Sequence, residues 1–202
     1  MLHIEPVTLS TDRLTLRPLR PTDIPALGKA ASDGELWEKK TTTVPRPEDF
    51  EAYVQKALDL QEAGLALPFT TVVNDGDRVI GSTRFMNIDA ANHRVEIGTT
   101  WIAKSWQRTF VNTHAKFLML RHAFEVLSCN AVELRTHRLN DQSRAAIERL
   151  GAKLDGILRQ HMIMPDGHIR DTAVYSIVRD EWPVVKAGLE RKMALEGETR
   201  LR

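Results

Sequence analysis

One cysteine, Cys129, stands among 202 residues. A single thiol cannot close an intramolecular disulfide or build a cysteine-rich zinc site, and it fits a reducing compartment. It lies in the apolar-flanked SCNAV, which reads as a buried structural thiol before it reads as a nucleophile. Neither sign of charge is in excess: 28 basic against 27 acidic residues leave a net charge of +1. That excludes a broad electrostatic footprint for nucleic acid or an anionic membrane, so any anion site must be local. No apolar run reaches membrane-spanning length, and the N-terminal MLHIEPVTLSTDR has neither a signal-peptide core nor an Arg-rich amphipathic presequence. The expectation is a soluble, cytoplasmic protein. Seven histidines come without HExxH or a Cys/His cluster, and His114 and His122 lack acidic or thiol partners at ligand spacing, so no metal is expected. No G-x-G-x-x-G follows the first strand, which disfavours a dinucleotide fold. Repeats, low-complexity segments and linkers are also missing. With 42% hydrophobic and 27% charged residues, the chain is expected to form one domain over residues 1–183, followed by a charged tail, 184–202, that starts helical and frays.

What is there reads as alternating strands and helices. Leu14-Thr15-Leu16-Arg17 alternates as a half-buried strand, and Thr22 or Asp23 is expected to cap a short helix with Pro25 in its first turn. Phe50, Tyr53, Val54, Ala57, Leu58 and Leu60 recur at three and four, predicting a helix between Arg46 and Leu65 that ends near Gly64. Asn74-Asp75-Gly76-Asp77 then joins strands from Phe69 to Val73 and from Arg78 to Phe85 in a hairpin. His93 to Ile102 is the next antiparallel strand. A helix from about Val111 to Leu127, a strand from Val132 to Thr136 and a helix from Asp141 to Leu150, closed by Gly151, follow in turn. Two last strands, near Lys153 to Met164 and Ile169 to Val178, bracket the turn Pro165-Asp166-Gly167.

The stretch that carries most chemistry runs from VEIGTTWIAKSW through Gln107-Arg108-Thr109 into VNTHAKFLMLRHAFE. No acidic residue lies between Glu96 and Glu125, whereas Lys104, Arg108, Lys116 and Arg121 do. Free N–H groups at a helix start, aided by the macrodipole, would make this a phosphate cradle. An ordinary strand-to-helix crossover, acid-free by chance, is the competing reading. The order of elements, with STDRLTLRPLRPTD, VEIGTTWI, WQRTFVNTHAKFLMLRHAFE, ELRTHRLNDQSRAAIERLGAKLDGILRQHM and DGHIRDTAVYSIVRDEW, resembles the GNAT superfamily of acetyl-CoA-dependent N-acetyltransferases. Within it the blocks are similar to the ribosomal-protein-alanine acetyltransferase (RimJ/RimL-like) branch, from Thr11 to about Pro183.

The resemblance implies an α/β fold with a mixed, mostly antiparallel central sheet flanked by helices and splayed at its centre. It implies acetyl-CoA as co-substrate, without a metal. The family loop Q/R-x-x-G-x-G/A maps onto Gln107 to Asn112, so the pyrophosphate is expected against the amides of Arg108, Thr109, Phe110, Val111, Asn112 and Thr113, with Trp101 and Ile102 at the adjoining strand end. Trp101 and Trp106 have two readings, stacking on adenine or packing in the core and rim. Phe110 stands where the first glycine is expected and Asn112 where the second small residue is expected. The loop is therefore a modified one, workable if φ stays in the α region.

By the same resemblance Glu96 is the general base, against a plain solvated or salt-bridged strand residue. The tyrosine acid many members use falls at Ile147, so that acid is missing. Ser143 is the substitute, near the sulfur directly or through a water, or else a helix cap. Asn140 is an N-cap, a contact to the pantetheine arm, or both. The implied activity is acetyl transfer to a primary amine, on a protein N-terminus or a small molecule, by direct attack in a ternary complex. A non-catalytic acyl-CoA sensor and a translation-associated interaction module are the alternatives. The acceptor is not legible, and family members are often dimers, which admits a homodimer.

Overall fold

The computed structural model describes residues 4–39, 41–164 and 166–198. Among them eight strands form one sheet in the order β1-β2-β3-β4-β5-β6-β8-β7. Along the chain the elements are β1 (Leu9–Ser10), β2 (Leu14–Pro18), α1 (Ile24–Ser32), α2 (Phe50–Glu62), β3 (Ala66–Val73), β4 (Arg78–Asp89), β5 (Arg94–Ile102), α3 (Phe110–Arg121), β6 (Ala131–His137), α4 (Asp141–Glu148), β7 (Lys153–Ile163), β8 (Ile169–Val178) and α5 (Trp182–Glu198). Every neighbouring pair is antiparallel except β5 with β6. This is the mixed, mostly antiparallel sheet expected from the sequence.

Strand register sorts side chains between two faces. Leu67 pairs with Phe85, Phe69 with Thr83, and Phe85 with Ile97, so these lie on one face, which α3 covers. There the His122 ring lies 6.1 Å from that of Phe85, and the Thr83 hydroxyl meets Met119 Sδ. Thr70, Arg84 and Glu96 occupy the other face. Here α2 packs, with the Phe50 and Trp101 rings 5.7 Å apart and Trp101 Nε1 donating to Tyr53 Oη at 3.2 Å.

Two irregularities shape the centre. The parallel pairing of β5 with β6 covers Arg94↔Ala131, Val95↔Val132 and Glu96↔Glu133 and then stops. Beyond it β5 follows β4 to Ile102 while β6 follows β8 to His137, so the sheet parts after Glu96. Nearby, Arg84 pairs with Gly98 but Ser82 with Trp101, which sets three steps on β5 against two on β4. The extra residue is a bulge at Thr99, whose φ is 47°, and it returns Trp101 to the face that carries Glu96. Gly81 makes this approach possible, because a Cβ there would lie 2.2 Å from the Trp101 carbonyl oxygen. Since β5 and β6 run parallel, α3 and α4, which follow them, start at the same end of the sheet and flank the gap. Crevices beyond the carboxyl ends of parallel strands are where such sheets take ligands.

Several local expectations need correcting. Asp23 does not cap α1 with its side chain; it is buried and takes Arg17 Nη1 and Nη2 at 2.8 and 2.6 Å. Its local bond goes back one turn, to the Arg20 amide at 3.0 Å, and Thr70 of β3 donates to the same oxygen at 2.7 Å. α3 does not run unbroken to Leu127 but ends in a π-helical turn, His122–Val126, where the Leu127 amide donates to the His122 carbonyl at 3.0 Å. α5 packs on α3, with Trp182, Val185 and Leu189 buried. Residues 199–202 of the expected tail, Pro165 of the expected turn and Lys40 in the loop before α2 lie outside the described residues. Among those described, no helix is long and apolar enough to cross a membrane.

Candidate active site

The cradle is a helix start with local reinforcement. Thr109 is the N-cap of α3: its Oγ1 accepts from the Val111 amide at 3.4 Å and donates to the Trp106 carbonyl at 2.8 Å. Phe110 and Asn112 have helical backbones, as a glycine-less cradle requires. The left-handed turn falls instead on Arg108, with φ of 61°, an uncommon geometry for a residue with a Cβ. Arg108 itself is exposed. Phe110 is buried, its ring 3.7 Å from Arg13 Cζ and edge-on to Trp106 and His114. The ring is thus core and only its backbone faces the helix start. Gln107 pins the loop by donating from Nε2 to the Ile102 carbonyl at 2.9 Å.

Around this start the charges are mostly basic. The first turn of α3 holds no acidic residue. Lys39 donates to Gln107 Oε1 at 3.4 Å, and burial together with Lys104 nearby holds its pKa below the ordinary range. Lys39 comes from the loop before α2, so sequence spacing carried no signal for it. Two carboxylates arrive from elsewhere in the chain: Glu196 of α5 accepts from Thr113 Oγ1 at 3.3 Å, and Asp33 accepts from the Ser105 amide at 3.1 Å. Trp101 is 5% exposed and bound to Tyr53, which makes it core. Ile102 is half-buried at the end of β5. The donors present, amides of a first turn with lysine and arginine about them, suit a pyrophosphate.

Glu96 stands where the sheet opens. It is 6% exposed and accepts from Asn87 Nδ2 at 2.7 Å, with Arg135 Nε 3.3 Å from the same oxygen. Arg135 is shared, because it also pairs with Glu133 at 2.8 Å. Burial pushes the Glu96 pKa above the usual carboxylate range, and Asn87 and Arg135 offset only part of that. Burial disfavours the charged form, so the ionised carboxylate is a stronger base than a solvated one. A Cβ on Gly98 would meet Met86 Sδ at 2.5 Å and Glu96 Oε1 at 3.0 Å, so the space a side chain would take is shared by Met86 and that oxygen.

Across the gap, Asn140 caps α4: its Oδ1 accepts from the Ser143 amide at 3.1 Å. Ser143 is half-buried, and among the described residues no hydrogen bond reaches its hydroxyl. Ile147 is buried, and Tyr175 is committed to structure, donating to Glu148 Oε1 at 2.7 Å and accepting from Arg144 Nε at 2.9 Å. Cys129 is fully buried, with its thiol pushed up to about 11 by burial. Lys116 is also buried; its amine donates to Thr100 Oγ1 at 3.1 Å, and burial lowers its pKa to about 8. The strand arginines Arg84 and Arg135 read in the sequence as ordinary alternation, and only the folded sheet brings Arg135 to Glu96 and sets Arg84 diagonally from it on the same face.

The fold that holds this opening is shared with known proteins. An acetyltransferase (GNAT) domain model matches residues 13–153. The N-acetyltransferase p20 of Bacillus licheniformis, itself uncharacterised, is 29% identical over 179 residues, covering 87% of this chain and 98% of that protein. A GCN5-related N-acetyltransferase from Brucella melitensis superposes with a TM-score of 0.82 at 29% identity, over 93% of this chain and 86% of the other. The fold also extends to RimL, a ribosomal L7/L12 alpha-N-protein acetyltransferase solved in complex with coenzyme A, with a TM-score of 0.73 at 20% identity, over 86% and 99% of the two chains. The domain match runs through β5, the cradle and α4, the parts that surround the opening, and so this chain belongs to the GNAT family of acetyl-CoA-dependent N-acetyltransferases.

Proposed function

We propose that the protein moves the acetyl group of acetyl-CoA to a primary amine by direct attack in a ternary complex. The observation that carries this reading is Glu96, a buried carboxylate with a raised pKa at the point where β5 and β6 part. The amides of residues 108–113, Lys39, Lys104 and Arg108 would hold the pyrophosphate of this substrate, and Asn140 would meet its pantetheine arm. The acceptor nitrogen gives a proton to Glu96 and forms the new C–N bond at the thioester carbon. The C–S bond then breaks, the departing thiolate takes a proton from Ser143 or from a water Ser143 holds, and solvent returns that proton and removes the one on Glu96. The products are an amide and free coenzyme A. No covalent acyl-enzyme is involved, since a buried thiol this weakly acidic is a poor nucleophile.

The reaction is assigned to the cytoplasm, in a single domain spanning residues 1–183 with or without a homodimer partner. RimL acts on a protein N-terminus, so protein and small-molecule amines both enter the acceptor panel. Time-dependent release of free thiol from acetyl-CoA with an amine tests the reading, and its absence with every acceptor would leave a non-catalytic acyl-CoA sensor. Calorimetry with coenzyme A should show weaker binding by Arg108→Glu. Ser143→Ala should lose about tenfold in rate with little pH dependence, the worth of one ordinary hydrogen bond. Intact mass after mixing with acetyl-CoA alone should be unchanged; an acetyl adduct on Cys129 that an acceptor discharges at the turnover rate would rule out direct attack.

A further inference from the structure

Arg84 is a buried charge without a counter-charge. It is 6% exposed, and its Nε and Nη2 are closed to solvent with no hydrogen-bond partner. Among the described residues no carboxylate pairs with it, and the contact it does make is with the Tyr53 ring, 5.2 Å from Cζ. A guanidinium keeps its charge at physiological pH. Buried alone, it destabilises the fold until an anion joins it.

The two unpartnered atoms specify which anion. Nε–H and Nη2–H project side by side from one edge of the guanidinium, the fork that takes both oxygens of a carboxylate. The position specifies whose. Arg84 pairs with Gly98 across β4 and β5, and Glu96, paired with Met86, is the next residue along that face. Glu96 Oε1 itself leans over Gly98. One face therefore offers a carboxylate to an amine and, on the diagonal across Gly98, where the flexible Met86 side chain lies between them, an unpaired guanidinium. This complements a molecule that carries an amine and a carboxylate together.

We propose that Arg84 binds a carboxylate on the acceptor, so that the substrate class is a small amino acid, with nitrogen and carboxylate separated by a few bonds. The proposal rests on the acyl-transfer reading above and narrows it. A peptide carbonyl would leave the guanidinium charge uncompensated, so a free carboxylate is favoured over a protein N-terminus. Because the fork is closed, the acceptor must displace a neighbouring side chain on entry, and half-exposed Tyr53 borders the guanidinium.

The test measures thiol release from acetyl-CoA with the common L-α-amino acids, β-alanine and γ-aminobutyrate, each beside its carboxamide, and with short peptides bearing a free α-amine. At least one amino acid should exceed its carboxamide in kcat/KM on the order of a hundredfold, the scale of one hydrogen bond between charged groups. Arg84→Met should bring that ratio close to one, and Arg84→Lys, which keeps the charge without the fork, should fall between. A purely structural arginine would instead lower both rates together. Thermal melting supplies a separate readout: Arg84→Met should melt above the wild type, because an unpaired charge is removed, and the best amino acid should raise the midpoint of the wild type but not of the variant. Amines, carboxamides or peptides turning over as fast as amino acids would overturn the role of Arg84 and leave acyl transfer standing. No thiol release with any acceptor would overturn both.

Discussion

Asp23 and Glu96 are both buried carboxylates on the same face of the sheet, and they titrate in opposite directions. Asp23 is 4% exposed, and burial alone would raise its pKa. Two donors from Arg17, the Thr70 hydroxyl and the Arg20 amide outweigh that and hold it below the usual range. Glu96 is as closed to solvent but lies deeper, has Asn87 and a shared Arg135, with Glu133 close by, and its pKa is raised. Depth of burial and the number of committed donors together decide the sign. Satisfied, a buried carboxylate is structure; short of donors it is free for the base role proposed for Glu96.

Removing the satisfied one should have the largest effect. Asp23→Ala leaves Arg17 without its partner and should cost about 3–5 kcal/mol, read as the loss of stability in urea unfolding. A loss under about 1 kcal/mol would show that the pair is no stronger than a surface bridge. The wild type should also weaken in acid, since a lowered folded pKa contributes stability that is present above the unfolded value and lost as pH falls through the folded one.

Next comes Glu96→Gln, expected to lower kcat/KM about a hundredfold near neutral pH, a typical contribution for a positioned base. The deficit should narrow as pH rises toward the pKa of the free acceptor amine. Stability should move the other way. A raised folded pKa favours the fold below the unfolded value, and that advantage disappears as pH climbs through the folded one. The Gln variant should therefore melt above the wild type at neutral pH, with a gap that closes under acid. A variant less stable at both pH values would place Glu96 with Asp23 as a structural group.

The smallest effect sharpens the contrast. Arg135 lowers the Glu96 pKa, so Arg135→Gln should shift the acidic limb of the kcat/KM profile upward. An unmoved limb would mean that the profile reports another group.

Much of this fold could be read from pattern, because hairpin chemistry at Asn74 to Asp77 and the three-and-four spacing before Gly64 are local signals. A mixed sheet splayed at its centre came through family likeness, but which two strands run parallel did not, as periodicity says nothing of which strands adjoin. What escaped the sequence was non-local. Thr22 or Asp23 looked like a cap because propensity sees only neighbours, whereas Asp23 is engaged by Arg17 and by Thr70 from another strand. Phe110 was legible as a break in a glycine pattern, but Arg13, which covers its ring, lies far back in the chain. Glu96, Ser143 and the cradle loop were singled out by block order. Arg84, Arg135 and Lys39 were not, since a cation on a strand or loop announces no partner.

The bulge at Thr99, and not the length of the strand alone, fixes which face each residue beyond it occupies. Straightening it at unchanged length would turn Trp101 from Phe50 and Tyr53 toward α3, and Thr100, which receives the buried Lys116 amine, would turn away. Deleting Thr99 would instead leave two steps on β5 against two on β4, with Trp101 still opposite Ser82. A one-residue insertion exchanges the faces unless a further bulge absorbs it. Length variation in natural or engineered descendants should therefore collect in the turns that bound β5 and, within the strand, at Thr99.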